Sequence, residues 1–316
     1  MSRSHMEELQ KAARLVRGSS FGEVLSDAGF LANVKLYQST HQYTGEAKEG
    51  VNFFELDWDV LVILDACRLD LMRNVAHEYD YIDEVGSVRS LGSHSREWME
   101  RTFTPAYTHY MKNTVHVTGN PFSDTVLSDE SFAALDEVWR YAWDSNLGTL
   151  PARPVTDRAI QHWRQSNPDS MIVHYIQPHA PFVSAPNLGD GMDTDDWGGL
   201  NRDEVWRNLR LGRVSYPDVL DGYEQNLRYV LDEVSLLRDN IDAGTVAITA
   251  DHGNAMGEQS MYGHPYGVAV DVLRDVPWVT TTATATDDYQ PDTVKTKTED
   301  DEQGVAEGKL EDLGYL

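Results

Sequence analysis

Val60-Leu61-Val62-Ile63-Leu64 is an unbroken aliphatic run, and Met171-Ile172-Val173-His174-Tyr175-Ile176 and Thr245-Val246-Ala247-Ile248-Thr249 match it. A strand with one wet face alternates apolar and polar residues; a run without alternation belongs to a strand covered on both faces, as in a parallel sheet packed between helices. Thr114-Val115-His116-Val117 is a weaker run of the same kind. Helical patterns fall between these runs at about 66–78, 95–103, 131–143, 155–166 and 216–239. Strands alternating with helices predict an α/β fold: a doubly wound, mostly parallel central sheet with helices on both faces. Ligands in such sheets bind beyond the carboxyl ends of the strands. There Asp65, Gln177 with His179, and Asp251 with His252 each follow one of the three strong runs, so three polar groups are expected to meet at one sheet edge.

With 316 residues, 41 % of them hydrophobic, the chain can bury a sizeable core. Residues 1–50 read as a helical and loop extension, with an apolar helical period over 7–17 (Leu9, Ala12, Ala13, Leu15, Val16) that Gly18-Ser19-Ser20 ends. Residues 51–280 form the expected catalytic domain. Within it, 184–204 reads as a surface loop carrying Asp190, Asp193, Asp195 and Asp196, without the spacing of an EF-hand. An acidic Thr/Asp/Glu-rich loop is expected over 281–304, followed by a helix at 305–316 that docks back on the domain.

The formal charge of −26 arises from 52 acidic against 26 basic residues and argues against nucleic acid or an anionic membrane as partner. Seven lysines against nineteen arginines, and 32 aspartates against 20 glutamates, resemble the bias of proteins from salt-loving organisms. In molar salt the Debye length shrinks to about 3 Å, so such a surface stays soluble without tearing itself apart. The single Cys67 excludes an intrachain disulfide and a Cys-rich zinc site. No apolar stretch reaches the ~18 residues of a membrane span and no signal-peptide core opens the chain, so a cytoplasmic enzyme is expected.

Asp251 and His252 offer a divalent cation a carboxylate and an imidazole at a strand end, and Gly253 lets the chain turn sharply there. An Asx-capped turn is the plainer alternative. Asp65 ends a buried strand, where a carboxylate needs a cation or several donors; a metal or an ion pair with Arg68 would serve. Asp70 is expected on the helix surface or against an arginine. His179, after Gln177-Pro178, and His264, before Pro265, stand in turns that can present a side chain to a second metal or to substrate. His94, His109, His162 and His174 read as surface residues and His116 as a core one. A nucleophilic hydroxyl is sought at a helix N-terminus, where N–H groups and the macrodipole favour the developing anion. Ser95 is the first choice, Ser93 the second; a simple helix cap at Ser95 is the alternative. Arg96 could clamp oxygens of an anionic substrate or lie on the surface.

Three segments together carry a resemblance: Val62-Ile63-Leu64-Asp65-Ala66-Cys67-Arg68-Leu69-Asp70; Tyr175-Ile176-Gln177-Pro178-His179-Ala180-Pro181-Phe182; and Ile248 through Glu258 with Tyr262-Gly263-His264-Pro265. In order and spacing they resemble the alkaline phosphatase superfamily, in particular its sulfatase and phosphoethanolamine-transferase-like branch, and Leu313-Gly314-Tyr315 is similar to the end of many such chains. The resemblance implies a metal-dependent hydrolase of phosphate mono- or diesters acting through a seryl ester. Asp65, Asp251 and His252 would hold one divalent ion (Zn, Mn, Ca or Mg) beside Ser95 or Ser93, and His179 and His264, with Arg68, would face substrate or a second ion. A small-molecule or glycolipid-like anionic ester is the implied substrate; sulfate esters, transfer to a glycan or lipid acceptor, and a catalytically silent binding protein are the alternatives. Two features depart from the pattern. Ala66 stands where many members carry a second Asp, and the Cys-x-Pro-Ser-Arg signature of sulfatases is absent.

Overall fold

The computed structural model describes residues 20–44, 50–189, 191–192, 205–286 and 289–292. The expected helices at 7–17 and 305–316 and the aspartates at 190, 193, 195 and 196 lie outside the described residues. Among the described residues, seven strands form one sheet: β1 (Val60–Leu64), β2 (Gly86–Arg89), β3 (Thr114–Thr118), β4 (Ala134–Glu137), β5 (Ser170–Tyr175), β6 (Ala243–Thr249) and, past a two-stranded hairpin of β7 (Ala255–Met256) and β8 (Tyr262–Gly263), β9 (Asp275–Ala283). The order across the sheet is β2-β9-β6-β1-β5-β3-β4. β6, β1, β5, β3 and β4 run parallel, and β9 enters antiparallel between β6 and β2. The expected doubly wound, mostly parallel α/β architecture is therefore the observed one.

All five residues of β1 are buried, as the unbroken run requires of a central strand. Helices cover both faces, which consecutive residues of β5 make plain, since strand side chains alternate. Tyr175 points to α4 (Ala152–Ser166), its hydroxyl 2.9 Å from Thr156 Oγ1. His174 points the other way, its ring edge-on to Trp98 at 5.5 Å in α3 (Ser95–Thr102). The chain's first described helix, α1 (Phe21–Thr44), precedes the sheet, and α2 (Leu69–Val75) follows β1. Further along come α5 (Val205–Arg210) and the long α6 (Tyr216–Arg238). No helix among the described residues is long and apolar enough to cross a membrane.

Two expectations change. The segment 131–143 is not one helix: β4 occupies Ala134–Glu137 and a single turn follows at Trp139–Ala142. Its helical period is real, yet parallel pairing with β3 from Val115↔Ala134 to Thr118↔Glu137 prevails, as tertiary pairing often does over local propensity. The expected loop at 281–304 begins later, because β9 runs to Ala283. The next residues are pinned: Thr286 N–H donates to Asp239 O (2.7 Å), and Tyr289 Oη to Asp157 Oδ1 (2.7 Å).

Candidate active site

β5, β1 and β6 lie side by side, and their register aligns Leu64 with Tyr175 and Ile63 with Thr249. The residues just past the strand ends, Asp65 and Asp251, are thus brought to one edge. Asp251 Oδ1 accepts from its neighbour's His252 N–H (2.9 Å) and from Ala66 N–H (3.0 Å). That second bond requires Ala66 at φ 60°, a left-handed conformation that costs a non-glycine residue about 1–2 kcal/mol. Tyr223 of α6 braces the same residue by donating its hydroxyl to Ala66 O.

Gly253 is needed for close approach rather than for an unusual turn. A Cβ there would stand 2.0 Å from Val272 O, while Gly253 N–H donates to Leu273 O at 2.8 Å. The carbonyl of Gly253 in turn accepts from His252 Nδ1 at 2.7 Å. This bond puts the imidazole proton on Nδ1 and leaves the Nε2 lone pair facing inward. His252 Nε2 lies 3.5 Å from Asp251 Oδ2 and 3.7 Å from Asp65 Oδ1. Asp65, Asp251 and His252, all buried, each offer a ligand atom within 4.8 Å of the others.

Ser95 completes the group. Its Oγ is 3.2 Å from His252 Nε2 and 3.3 Å from Asp65 Oδ2. It is not the cap of α3. His94 is, accepting Arg96 N–H on its Nδ1 at 3.1 Å, so Ser95 begins the helix with its hydroxyl free to face the carboxylates. Trp98, 1 % exposed, anchors the helix against Phe53, Phe103 and His174. Asn120, two residues past β3, donates to Asp65 Oδ2 at 2.7 Å. Sequence reasoning passed over Asn120, although its place just beyond a strand end was the signal that singled out Asp65.

The electrostatics are those of an uncompensated anionic pocket. Burial and then the Asp251 charge raise the Asp65 carboxyl well above the usual carboxylate range. Asp251 Oδ2 has no hydrogen-bond partner among the described residues. Burial pushes the His252 imidazole down to about 3, so it is neutral and able to donate a lone pair.

His179 and His264 reach the same edge. His179 follows β5 and is tied to the end of β1 by His179 N–H donating to Asp65 O (3.0 Å), while Asn226 of α6 donates to His179 O (3.0 Å). The β7-β8 hairpin carries His264 inward. The two Nε2 atoms are 2.7 Å apart, and the His264 ring lies 4.6 Å from that of His252. Burial holds both imidazoles below their ordinary range, His264 the more strongly because His252, His179 and His94 surround it.

The remaining candidates go elsewhere. Ser93 Oγ donates to Pro265 O (2.8 Å), approaches Glu97 Oε2 at 2.9 Å and accepts Val268 N–H (3.1 Å), a structural clasp. Arg96 is exposed and pairs with Glu100 at 2.8 Å. Arg68 does not pair with Asp65. It grips Asp70 (2.6 Å), Glu258 (2.8 Å) and the Asn254 carbonyl (2.8 Å), which commits it to holding the 254–258 loop against the start of α2. Of the histidines expected at the surface, His174 is fully buried in β5, His162 pairs with Asp136 at 2.8 Å, and His94 joins the site, its ring 5.3 Å from that of His264. His116 is in the core, as expected.

No protein-family model and no curated protein matches the sequence. Solved structures do resemble the fold. The integral membrane protein lipooligosaccharide phosphoethanolamine transferase A (EptA) from Neisseria meningitidis matches with a TM-score of 0.52 at 15 % identity, over 71 % of this chain and 47 % of that one. A putative sulfatase from Bacteroides thetaiotaomicron matches at 0.46 and 12 % identity, over 70 % of this chain and 63 % of its own. The C-terminal periplasmic domain of EptC from Escherichia coli, in complex with Zn, matches at 0.44 and 12 % identity, over 71 % and 72 %. This chain spans about half the length of the EptA structure it matches. The fold, a mostly parallel seven-stranded sheet between helices, is similar to that of EptA.

Proposed function

We propose that this protein is a metal-dependent hydrolase of phosphate mono- or diesters, with Ser95 as nucleophile and Asp65, Asp251 and His252 as the ligands of one divalent ion. The observation that carries the reading is Ser95 Oγ, at a helix N-terminus, lying 3.2 Å from His252 Nε2 within a buried carboxylate pair. The donor set fits such an ion. Two carboxylates and a neutral imidazole suit zinc, manganese, calcium or magnesium to differing degrees, and a cation would offset both the partnerless Asp251 Oδ2 and the raised Asp65 carboxyl. When bound, the ion would lower the pKa of the Ser95 hydroxyl and polarise the ester.

Ser95 Oγ attacks phosphorus in line as its proton passes to Asp65 Oδ2, the carboxylate oxygen it faces at 3.3 Å, and the N-terminus of α3 favours the developing alkoxide; the His252 Nε2 lone pair would be taken by the ion. The P–O bond to the leaving group breaks as the Ser95–O–P bond forms, the departing alkoxide takes a proton from solvent to leave as the alcohol, and water then cleaves the seryl ester to restore Ser95. Asn120 holds Asp65 in place throughout. His179 and His264, hydrogen-bonded to each other at 2.7 Å, face the substrate oxygens, or would part to take a second ion. The substrate is a small-molecule or glycolipid-like anionic ester.

Transfer to a second hydroxyl in place of water is the next reading, supported by the likeness to a phosphoethanolamine transferase. The missing formylglycine motif counts against sulfate esters. The acidic surface supports a salt-rich habitat, so the test is run in high salt. Chelated protein is offered p-nitrophenyl phosphate, bis-p-nitrophenyl phosphate and p-nitrophenyl sulfate with each of the four metals in turn. Turnover of a phosphate ester, restored by metal, is expected; no turnover under any condition would sink the hydrolase reading.

A further inference from the structure

The imidazoles at this edge differ in which nitrogen bears the proton, as their hydrogen bonds assign it. His252 is protonated on Nδ1 by its bond to Gly253 O, so its Nε2 offers a lone pair. His179 is likewise protonated on Nδ1, which donates to Ala180 O; its Nε2 therefore accepts, and His264 Nε2–H is the donor between them. His94 is the reverse. Capping α3 fixes its Nδ1 as acceptor of Arg96 N–H, so its proton is on Nε2. That N–H meets no acceptor among the described residues. The His94 ring lies 4.9 Å from Phe122, 5.3 Å from His264 and 6.3 Å from His252, and the residue directly precedes Ser95.

We propose that His94 is a substrate-binding residue whose Nε2–H donates to a non-transferred oxygen of the ester held at Ser95. The inference rests on the phosphoesterase reading and adds to it the group that grips the anion. Neither arginine expected in that role is free for it, Arg96 being paired with Glu100 and Arg68 with Asp70 and Glu258. Helix capping and anion binding are thus two duties of one ring, one for each nitrogen. A neutral ring keeps its capping lone pair on Nδ1 while Nε2–H donates.

The two duties can be separated by substitution. In His94→Asn the amide oxygen takes the place of Nδ1 and still caps the helix, but nothing reaches as far as Nε2. In His94→Gln the amide nitrogen reaches that far while the cap is lost. The full-length chain, in high salt with the metal that supports turnover, is measured for thermal midpoint, for KM and kcat on bis-p-nitrophenyl phosphate, and for inorganic phosphate affinity by calorimetry. His94→Asn is expected to melt with the wild type and to bind phosphate about 10- to 100-fold more weakly, the loss of one hydrogen bond to a charged group. His94→Gln is expected to melt lower while keeping phosphate affinity within a few-fold. Wild-type affinity in His94→Asn, or an equal loss in both variants, would overturn the proposal. Should the wild type hydrolyse no ester, the hydrolase reading falls separately. Phosphate affinity still decides His94, and a wild type that binds no phosphate overturns the proposal too.

Discussion

Replacing Asp251 by Asn should raise the stability of the metal-free protein while abolishing its response to metal. Asp251 Oδ1 has two backbone donors, which an amide oxygen would keep, whereas Oδ2 is buried without a partner and 3.5 Å from His252 Nε2. An amide nitrogen in place of Oδ2 can donate to that lone pair. Leaving a buried acceptor unsatisfied costs about 1–3 kcal/mol, and removing the charge also relieves Asp65, whose carboxyl is raised partly by Asp251. For a domain of this size about 1–3 kcal/mol corresponds to a melting shift of roughly 2–6 °C upward. The wild type, by contrast, gains about 4 kcal/mol from an ion present at about 1,000 times its dissociation constant, and the variant should gain almost none. Scanning calorimetry in chelator and then in excess metal reads both effects on the same sample. A chelated variant that melts several degrees below the wild type, or one that metal stabilises as strongly, would refute the view of Asp251 as an uncompensated ligand.

Ser95→Ala should remove esterase turnover while leaving the melting temperature close to the wild type. Ser93→Ala should instead lower stability by about 1–3 kcal/mol through loss of its clasp on Pro265, Glu97 and Val268; full activity in the first variant and none in the second would reverse the assignment. Gly253→Ala forces a Cβ to within 2.0 Å of Val272 O and should destabilise the fold by more than about 2 kcal/mol in denaturant unfolding; a wild-type midpoint would show that the 253–272 contact yields easily. His116 and His174 are buried and held neutral down to about 3. The unfolded chain takes up their protons near 6.5, so each should contribute stability that is complete above that value and falls by about 1.4 kcal/mol per pH unit between 6.5 and 3. Phenylalanine at both positions should flatten that acid limb, and an unchanged slope would contradict it.

The sheet was legible in the sequence where burial alone dictated pattern. β1, β5 and β6 are central strands, and their unbroken apolar runs leave little choice of structure. β2, β4 and β9 were missed because edge or antiparallel strands carry weaker patterns and owe their existence to pairing with a neighbour. The convergence of Asp65, Asp251, His252 and His179 followed from one rule about strand ends, whereas His264 was singled out by the turn before Pro265. Asn120 obeys the same rule at β3, but its strand was the weakest run and drew no attention. What the sequence could not reveal was competition for partners. Arg68 and Arg96 both have the chemistry to grip an anion, and only the fold commits them to carboxylates of their own. His94 is the converse case. Its role as a cap is hidden when Ser95, the first residue of α3, is itself read as the cap.

In the proposed reaction Ser95 forms a covalent bond to the transferred group beside the Asp65, Asp251 and His252 cluster. Acid quenching during turnover of bis-p-nitrophenyl phosphate, followed by peptide mass spectrometry, tests this directly. The expected result is a phosphoryl-ester adduct on Ser95 that appears with metal, vanishes with chelator and is absent from Ser95→Ala. Metal-dependent turnover that proceeds undiminished in Ser95→Ala, with no adduct on Ser95 in the wild type, would contradict the account.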